Sequence, residues 1–300
     1  MQFHNEMIKF HVENQDEINI DAFESKEEFV LHLIHTFAYT QSSKLVKDKV
    51  VLDIGCNVGY GSDILSRSAR KVIGVDVSEK VILSAKNRFT CENIEFQHID
   101  GKTLPFGNDR FDVIISCQVI EHIVDYDQFI GEILRVLKPD GVVVFTTPNA
   151  CIRLDPGMEP WYEFHVKEFM SSELDVLLRD YFSHVSVCGL FAEEPIFSIE
   201  LQRVTYLREN ARGGERTVGL KQKIKAILPD WVLKSIAGAR RLISIRLGGI
   251  DSHSFDEKFI GKVRSKKLDY RASGVDSSLD LLAICSNSNA SIEKCRQSLL

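Results

Sequence analysis

Short apolar runs alternate with amphipathic stretches from about Lys49 to Cys188. Val50-Val51-Leu52-Asp53-Ile54 predicts a short buried strand, and Ser62 to Ala69 begins a helix. Val72-Ile73-Gly74-Val75 predicts a second strand ending on Asp76, and Ser78 is placed to cap the helix that runs to Arg88. Ile94 to Ile99 alternates like a strand, and Phe111 to Ser116 reads as a fourth. Between Asp127 and Leu137 the apolar residues Phe129, Ile130, Ile133, Leu134 and Leu137 recur at helical spacing. Lys138-Pro139-Asp140-Gly141 predicts a turn, followed by a strand over Val142–Thr146, a helix over Glu168–Tyr181 and a strand at Val185–Val187. Far downstream, Leu279–Cys285 predicts another buried strand, expected to complete a sheet at its edge.

Strands alternating with helices specify an α/β fold, a mainly parallel sheet with helices on both faces. Such sheets bind ligands beyond the carboxyl ends of their strands, so functional residues are expected just after strands one to four. The chain divides into a helical leader (1–48), a core (49–190), an insertion (191–277), a last core strand (278–288) and a tail (289–300). In the leader, Phe29, Leu33, Ile34 and Phe37 share one helical face.

Composition narrows the class. With 44% apolar and 27% charged residues the chain is an ordinary globular protein, and no apolar run approaches membrane-spanning length. The acidic N-terminus resembles neither a secretory nor a transit signal. Seven scattered cysteines without a CxxC pair point to a reducing cytoplasm and to no zinc site, and no clear ligand cluster for another metal appears. Residues 201–250 carry eleven Lys/Arg against three Asp/Glu, in a chain of net charge -6. Within them, 221–247 reads as amphipathic helices with interspersed Lys and Arg. That suits either a substrate cap packing on its own core or a peripheral contact with anionic lipid at the inner membrane face. An acidic chain with no recognisable nucleic-acid module argues against nucleic acid as a partner. No pattern sets an oligomeric state.

The chemistry concentrates in Asp53-Ile-Gly55-Cys56-Asn57-Val-Gly59-Tyr-Gly61, which leaves a strand and opens a helix. Glycines let the backbone turn sharply and approach a ligand. Asp76, 23 residues after Asp53, ends the next strand, where a carboxylate accepts hydrogen bonds from ribose hydroxyls. Together these point to an adenosine-containing cofactor. An acid ahead of the first glycine disfavours a pyrophosphate and suits a cationic ligand end such as the ammonium of S-adenosylmethionine (SAM).

VLDIGCNVGYGS resembles the first motif of class I SAM-dependent methyltransferases. VIGVDVS, HIDGKTLPF, RFDVIISCQVIEHI and FIGEILRVLKPDGVVVFTTPN continue in that family's order, over about residues 49–190. The resemblance implies a Rossmann-like, seven-stranded, mainly parallel sheet. It implies that Asp53, Gly55, Cys56, Asn57 and Gly59 cradle the amino-acid end of SAM and that Asp76, with Val77 beside it, holds the ribose. Asp100 then takes the adenine amino group with Gly101 beside the ring, and Cys117 and Gln118 lie near the methionine portion. Asn57 stands where the family has its middle glycine; asparagine is among the residues that tolerate positive φ.

The acceptor is read from the residues beyond the fourth strand. Cys117-Gln118-Val119-Ile120 replaces the Asn-Pro-Pro-Tyr of base and amide N-methyltransferases. Glu121-His122 resembles the branch acting on small-molecule oxygens and carbons. Trp161-Tyr-Glu-Phe-His165-Val-Lys-Glu168-Phe resembles the FHVREF stretch of bacterial methyltransferases associated with surface polysaccharide, which share the GYGS ending and an N-terminal helix similar to Glu28–Tyr39. That resemblance implies O-methylation of a sugar, nucleotide-sugar or glycan hydroxyl. A hydroxyl is weakly acidic and needs a base, for which His122 and His165 are the candidates; the bland roles for them are packing and loop orientation. The rivals are a quinone or lipid methyltransferase, a nicotinamide-dependent oxidoreductase, and a SAM-binding regulatory protein without turnover.

Overall fold

The computed structural model describes residues 23, 25–225 and 257–299. Eight strands form one sheet: β1 (Val50–Ile54), β2 (Lys71–Asp76), β3 (Ile94–His98), β4 (Phe111–Cys117), β5 (Leu137–Pro148), β6 (His184–Ala192), β7 (Leu268–Arg271) and β8 (Asp280–Ser286). Their order is β3-β2-β1-β4-β5-β8-β6-β7. The first five pair in parallel, and β8 is antiparallel to both β5 and β6. The helices are α1 (Lys26–Ser42), α2 (Tyr60–Ser66), α3 (Glu79–Arg88), α4 (Tyr126–Val136), α5 (Ala150–Arg153), α6 (Ser171–Arg179), α7 (Ile196–Lys225), α8 (Glu257–Arg264) and α9 (Asn289–Leu299). The Rossmann-like α/β class holds, with corrections to its sheet.

Among the described residues the strand count is eight, because the stretch expected as an insertion supplies β7, antiparallel to β6. The late strand is not at the edge. β8 lies between β5 and β6, and six of its seven residues are buried, as a strand covered on both faces and both edges must be. The expected turn at Lys138–Gly141 is extended backbone. Phe111 pairs with Leu137 and Val113 with Val142, so β5 carries its extra residues as a bulge within one long strand. Helix α6 begins only at Ser171, leaving Glu168 and Phe169 in the loop before it, where Phe169 bridges to Asn149.

Alternate strand residues feed two cores. Val51, Val72, Val113, Ile115, Val144, Leu282 and Ile284 face α1, α2, α7, α8 and α9. Leu52, Ile73, Ile114, Val143, Phe145 and Ala283 face α4 and α6. Period-two burial on both faces is why these strands read as continuous apolar runs. The leader helix is an integral layer: Phe29, Val30, Ile34, Ala38 and Tyr39 are buried, with Leu33 and Phe37 packed beside them. Ser25 caps it by accepting the Glu28 N–H. The amphipathic reading of 221–247 falls outside the described residues apart from the end of the α7 backbone. Among the described residues, no helix is long and apolar enough to cross a membrane.

Candidate active site

The carboxyl ends of β1, β2, β4 and β5, with the antiparallel start of β8, form one edge of the sheet. The turn after β1 is strained in a useful way. Gly55, Asn57 and Gly59 take φ of 72°, 49° and 89°, so Asn57 adopts the left-handed conformation its side chain tolerates. Two of these positions admit no side chain. A β-carbon on Gly55 would lie 2.4 Å from Val119 Cγ2, and one on Gly59 would lie 2.6 Å from Phe96 Cζ. The turn is pinned by N–H bonds from Gly55 and Cys56 to the Val75 carbonyl.

Asp76 ties the first two strands together. Its Oδ2 accepts the Asn57 N–H at 3.0 Å and its Oδ1 the Ser78 N–H at 2.9 Å. Ser78 sits at the N-cap of α3 as expected, yet its hydroxyl makes no capping bond. Beyond Asp76, Val77 is 62% exposed, a large apolar side chain left bare. Gly101, at φ 76°, faces it: a β-carbon there would come within 3.0 Å of Val77 Cγ1. Asp100 Oδ1 accepts the N–H groups of Thr103 and Lys102, which hold its carboxyl below the usual range. Val77 is thus a bare apolar side chain that follows Asp76 and stands against Gly101.

Asp53 lies elsewhere than the resemblance implies. It is fully buried, with Oδ1 accepting from Tyr39 Oη at 3.1 Å and Oδ2 from Ser62 Oγ at 2.6 Å. Burial pushes it up to about 7, against the opposing pull of those two hydroxyls. It braces the turn from beneath and offers no oxygen to solvent. Cys56 and Cys117 are likewise buried thiols, which contribute backbone to the edge.

After β4 the chain turns through Gln118, at φ 57°, into a single 3-10 turn at Ile120–His122. Gln118 Nε2 donates to Asp280 Oδ2 at 3.1 Å, joining the fourth strand to the start of β8. Glu121 is fully buried; its Oε2 accepts from Thr147 Oγ1 at 3.0 Å, while Oε1 has no hydrogen-bond partner. Burial raises Glu121 to about 8 and Asp280 to about 7. The backbone carbonyl of Glu121 accepts the N–H groups of Val166 and Lys167, fastening the loop after β5 against the turn after β4.

That fastening brings His122 and His165 together, with ring centroids 4.8 Å apart. His122 Nδ1 donates to the Phe164 carbonyl at 2.8 Å, since a carbonyl can only accept. His165 Nδ1 donates to Glu168 Oε1 at 2.7 Å. Glu168 is held as a carboxylate by His165 and by a two-pronged bond from Arg153, at 2.8 and 2.9 Å, both partners buried. Arg153 also lies under the Trp161 ring, 4.3 Å from its centroid. Phe164, Val166 and Met170 remain exposed apolar residues beside the pair.

Residues 52–145 match the family described as a methyltransferase domain. The match covers β1 to β5, the part of the chain that carries the glycine-rich turn. Over 146 residues the chain is 36% identical to a probable S-adenosylmethionine-dependent methyltransferase of Mycolicibacterium smegmatis, covering 48% of this chain and 56% of that protein. Over 123 residues it is 36% identical to the ubiquinone biosynthesis O-methyltransferase of Coxiella burnetii, covering 40% of this chain and 53% of that one. The chain thus spans about half the length of the curated relatives it matches. The YcgJ protein of Bacillus subtilis aligns with 61% of this chain and 82% of its own at 22% identity, with a TM-score of 0.45.

Sequence reasoning located the glycine-rich turn, Asp76, Val77, Asp100, Gly101, Gln118 and both histidines at this edge. It gave no role to Tyr39, Ser62, Glu121, Glu168, Arg153 or Asp280, although Tyr39, Glu121 and Glu168 stand in stretches it singled out. A buried ion pair leaves no periodic signal, and Asp280 reads simply as the polar start of an apolar strand.

Proposed function

We propose that this chain is an enzyme that methylates a hydroxyl oxygen, with SAM as its cofactor. The observation that carries the reading is the edge at Asp76, whose carboxylate holds the left-handed Gly55–Gly59 turn through the Asn57 N–H and is followed by the bare Val77 against Gly101. It fits the group: Asp76 and Val77 suit a ribose, Gly101 and Asp100 an adenine, and the Gly55–Gly59 turn an amino-acid end. The unpartnered, buried Oδ1 of Asn57 is an acceptor placed within that turn. SAM supplies a methyl group activated by its sulfonium charge. The protein's part is to align an acceptor with it and to take up the hydroxyl proton. With Nδ1 engaged in both His122 and His165, Nε2 is the nitrogen of each ring that would take that proton.

We take the acceptor to be a sugar, nucleotide-sugar or glycan hydroxyl, on the strength of the WYEFHVKEF stretch. The exposed Phe164, Val166 and Met170 favour a second reading, a phenolic hydroxyl on an apolar ring, and the Coxiella burnetii relative is consistent with it. Calorimetric titration with S-adenosylhomocysteine tests the cofactor assignment. Micromolar binding by the wild type, lost in Asp76→Ala, is expected; binding of NAD instead would overturn it. Radiolabelled methyl transfer to nucleotide sugars and to quinols then separates the two acceptors. Cofactor binding without transfer to either class would favour the regulatory reading.

A further inference from the structure

From the cluster formed by Glu121, His122 and His165, we infer that the acceptor side of the site holds a divalent first-row metal ion. The sequence predicts no metal site, because residues 123–164 separate the second histidine from the other two ligands. The fold brings them together. One ligand atom from each residue lies within 4.8 Å of the others, a spread a single cation could span with small side-chain shifts. Two imidazoles and one carboxylate on one side of an ion suit borderline divalent metals and leave positions open for exchangeable oxygen ligands.

Three independent features distinguish this cluster from a chance meeting. Glu121 is wholly buried, and among the described residues its Oε1 has no hydrogen-bond partner, which leaves an acceptor open within the cluster. Both histidines are oriented through Nδ1, His122 by a backbone carbonyl and His165 by a carboxylate. Metal-bound imidazoles are oriented in the same way: the proton is fixed on one nitrogen and the lone pair on the other is directed at the ion. Finally, the support is itself anchored. Glu168, which accepts from His165, is locked in place by a two-pronged bond from the buried Arg153.

The role of the ion rests on the methyltransferase reading; its binding does not. Next to the Gly55 turn, which Val119 touches, an ion at Glu121 would bind an acceptor's hydroxyl oxygen and polarise it. The hydroxyl proton would then pass to water without a protein base. His122 and His165 would then act as ligands in place of the base role given to them above, and two adjacent acceptor hydroxyls could chelate.

The test is a titration of metal-stripped full-length protein with Co2+ alone, followed by its visible spectrum, beside a separate titration with S-adenosylhomocysteine. One equivalent of cobalt is expected, with bands of a nitrogen and oxygen environment and no thiolate charge transfer to implicate the exposed Cys91 or Cys151. His122→Asn and His165→Asn should each weaken cobalt binding at least tenfold while leaving the cosubstrate product bound as before. Glu121→Gln, which keeps the side-chain shape, provides a third ligand variant if either histidine variant melts early. Absence of stoichiometric cobalt binding, or equal binding by wild type and all folded variants, overturns the site. Cobalt binding that the variants lose, without any S-adenosylhomocysteine binding, keeps the metal site and removes the methyltransferase role.

Discussion

The two halves of the ligand edge are built differently. At the β1–β2 end, the geometry is carried by backbone: three left-handed residues, N–H groups on one carboxylate, and a glycine that leaves Val77 bare. All of it lies within Asp53–Gly101. At the β4–β5 end, the geometry is carried by side chains drawn from Gln118–His122, Thr147, Arg153, His165–Glu168 and Asp280, linked through buried polar contacts. A backbone cradle suits a ligand that does not vary, whereas a side-chain network can be re-formed around different acceptors. On the proposed reading, specificity would lie at the β4–β5 end and cofactor affinity at the β1–β2 end.

Breaking the side-chain half should cost the most. Arg153→Ala strands the buried Glu168 carboxylate, and removing one partner of a buried ion pair typically costs about 3–5 kcal/mol. Denaturant unfolding of this variant should show a loss of that order; a change below ~1 kcal/mol would mean that the pair is not a structural anchor. Next comes the backbone half. Asp76→Ala removes the acceptor of two N–H groups and the expected ribose contact, for which about 1.5–3 kcal/mol, roughly tenfold to a hundredfold in S-adenosylhomocysteine affinity, is expected. If stability falls while affinity holds, Asp76 serves only the fold.

Smaller effects probe the brace beneath the turn. Tyr39→Phe removes one of the two hydroxyls on Asp53 and should cost about 0.5–1.5 kcal/mol in unfolding free energy. Asp53 also sets a sign for pH. Its carboxyl titrates at about 7 when folded against an ordinary 3.8, so the folded state holds this proton more tightly. Its contribution to stability is therefore full below pH ~4 and is lost as pH rises through about 7. Asp280, also raised to about 7, adds to the same trend. Unfolding measured at pH 5 and pH 8 should show the lower stability at pH 8, and Asp53→Asn should narrow the difference. An Asp53→Asn variant with an unchanged pH slope would show that the trend arises elsewhere.

The sequence was most legible where the determinants are local. The Gly55–Gly61 turn, Asp76 at a strand end and the helical face of α4 all follow from spacing, because each depends on neighbours a few residues away. Asn57 is of a residue type that tolerates the positive φ it takes. Where neighbours are distant, the reading failed in specific ways. The Lys138–Gly141 tetrapeptide has turn chemistry but is drawn into β5 by pairing with β4. LDLLAIC reads as a buried strand without revealing that it inserts between β5 and β6.

What the chain determined by itself is the α/β alternation, the adenosine-type turn and the presence of His122 and His165 near strand ends. These are matters of backbone conformation and periodicity, written within one element or its adjoining turn. Only the tertiary structure decided that the leader's Tyr39 caps Asp53, that β7 joins the sheet, and that Glu121, His122 and His165 converge. Those contacts join residues from separate elements, and which pairs meet is set by how both faces of the sheet are covered rather than by any local pattern.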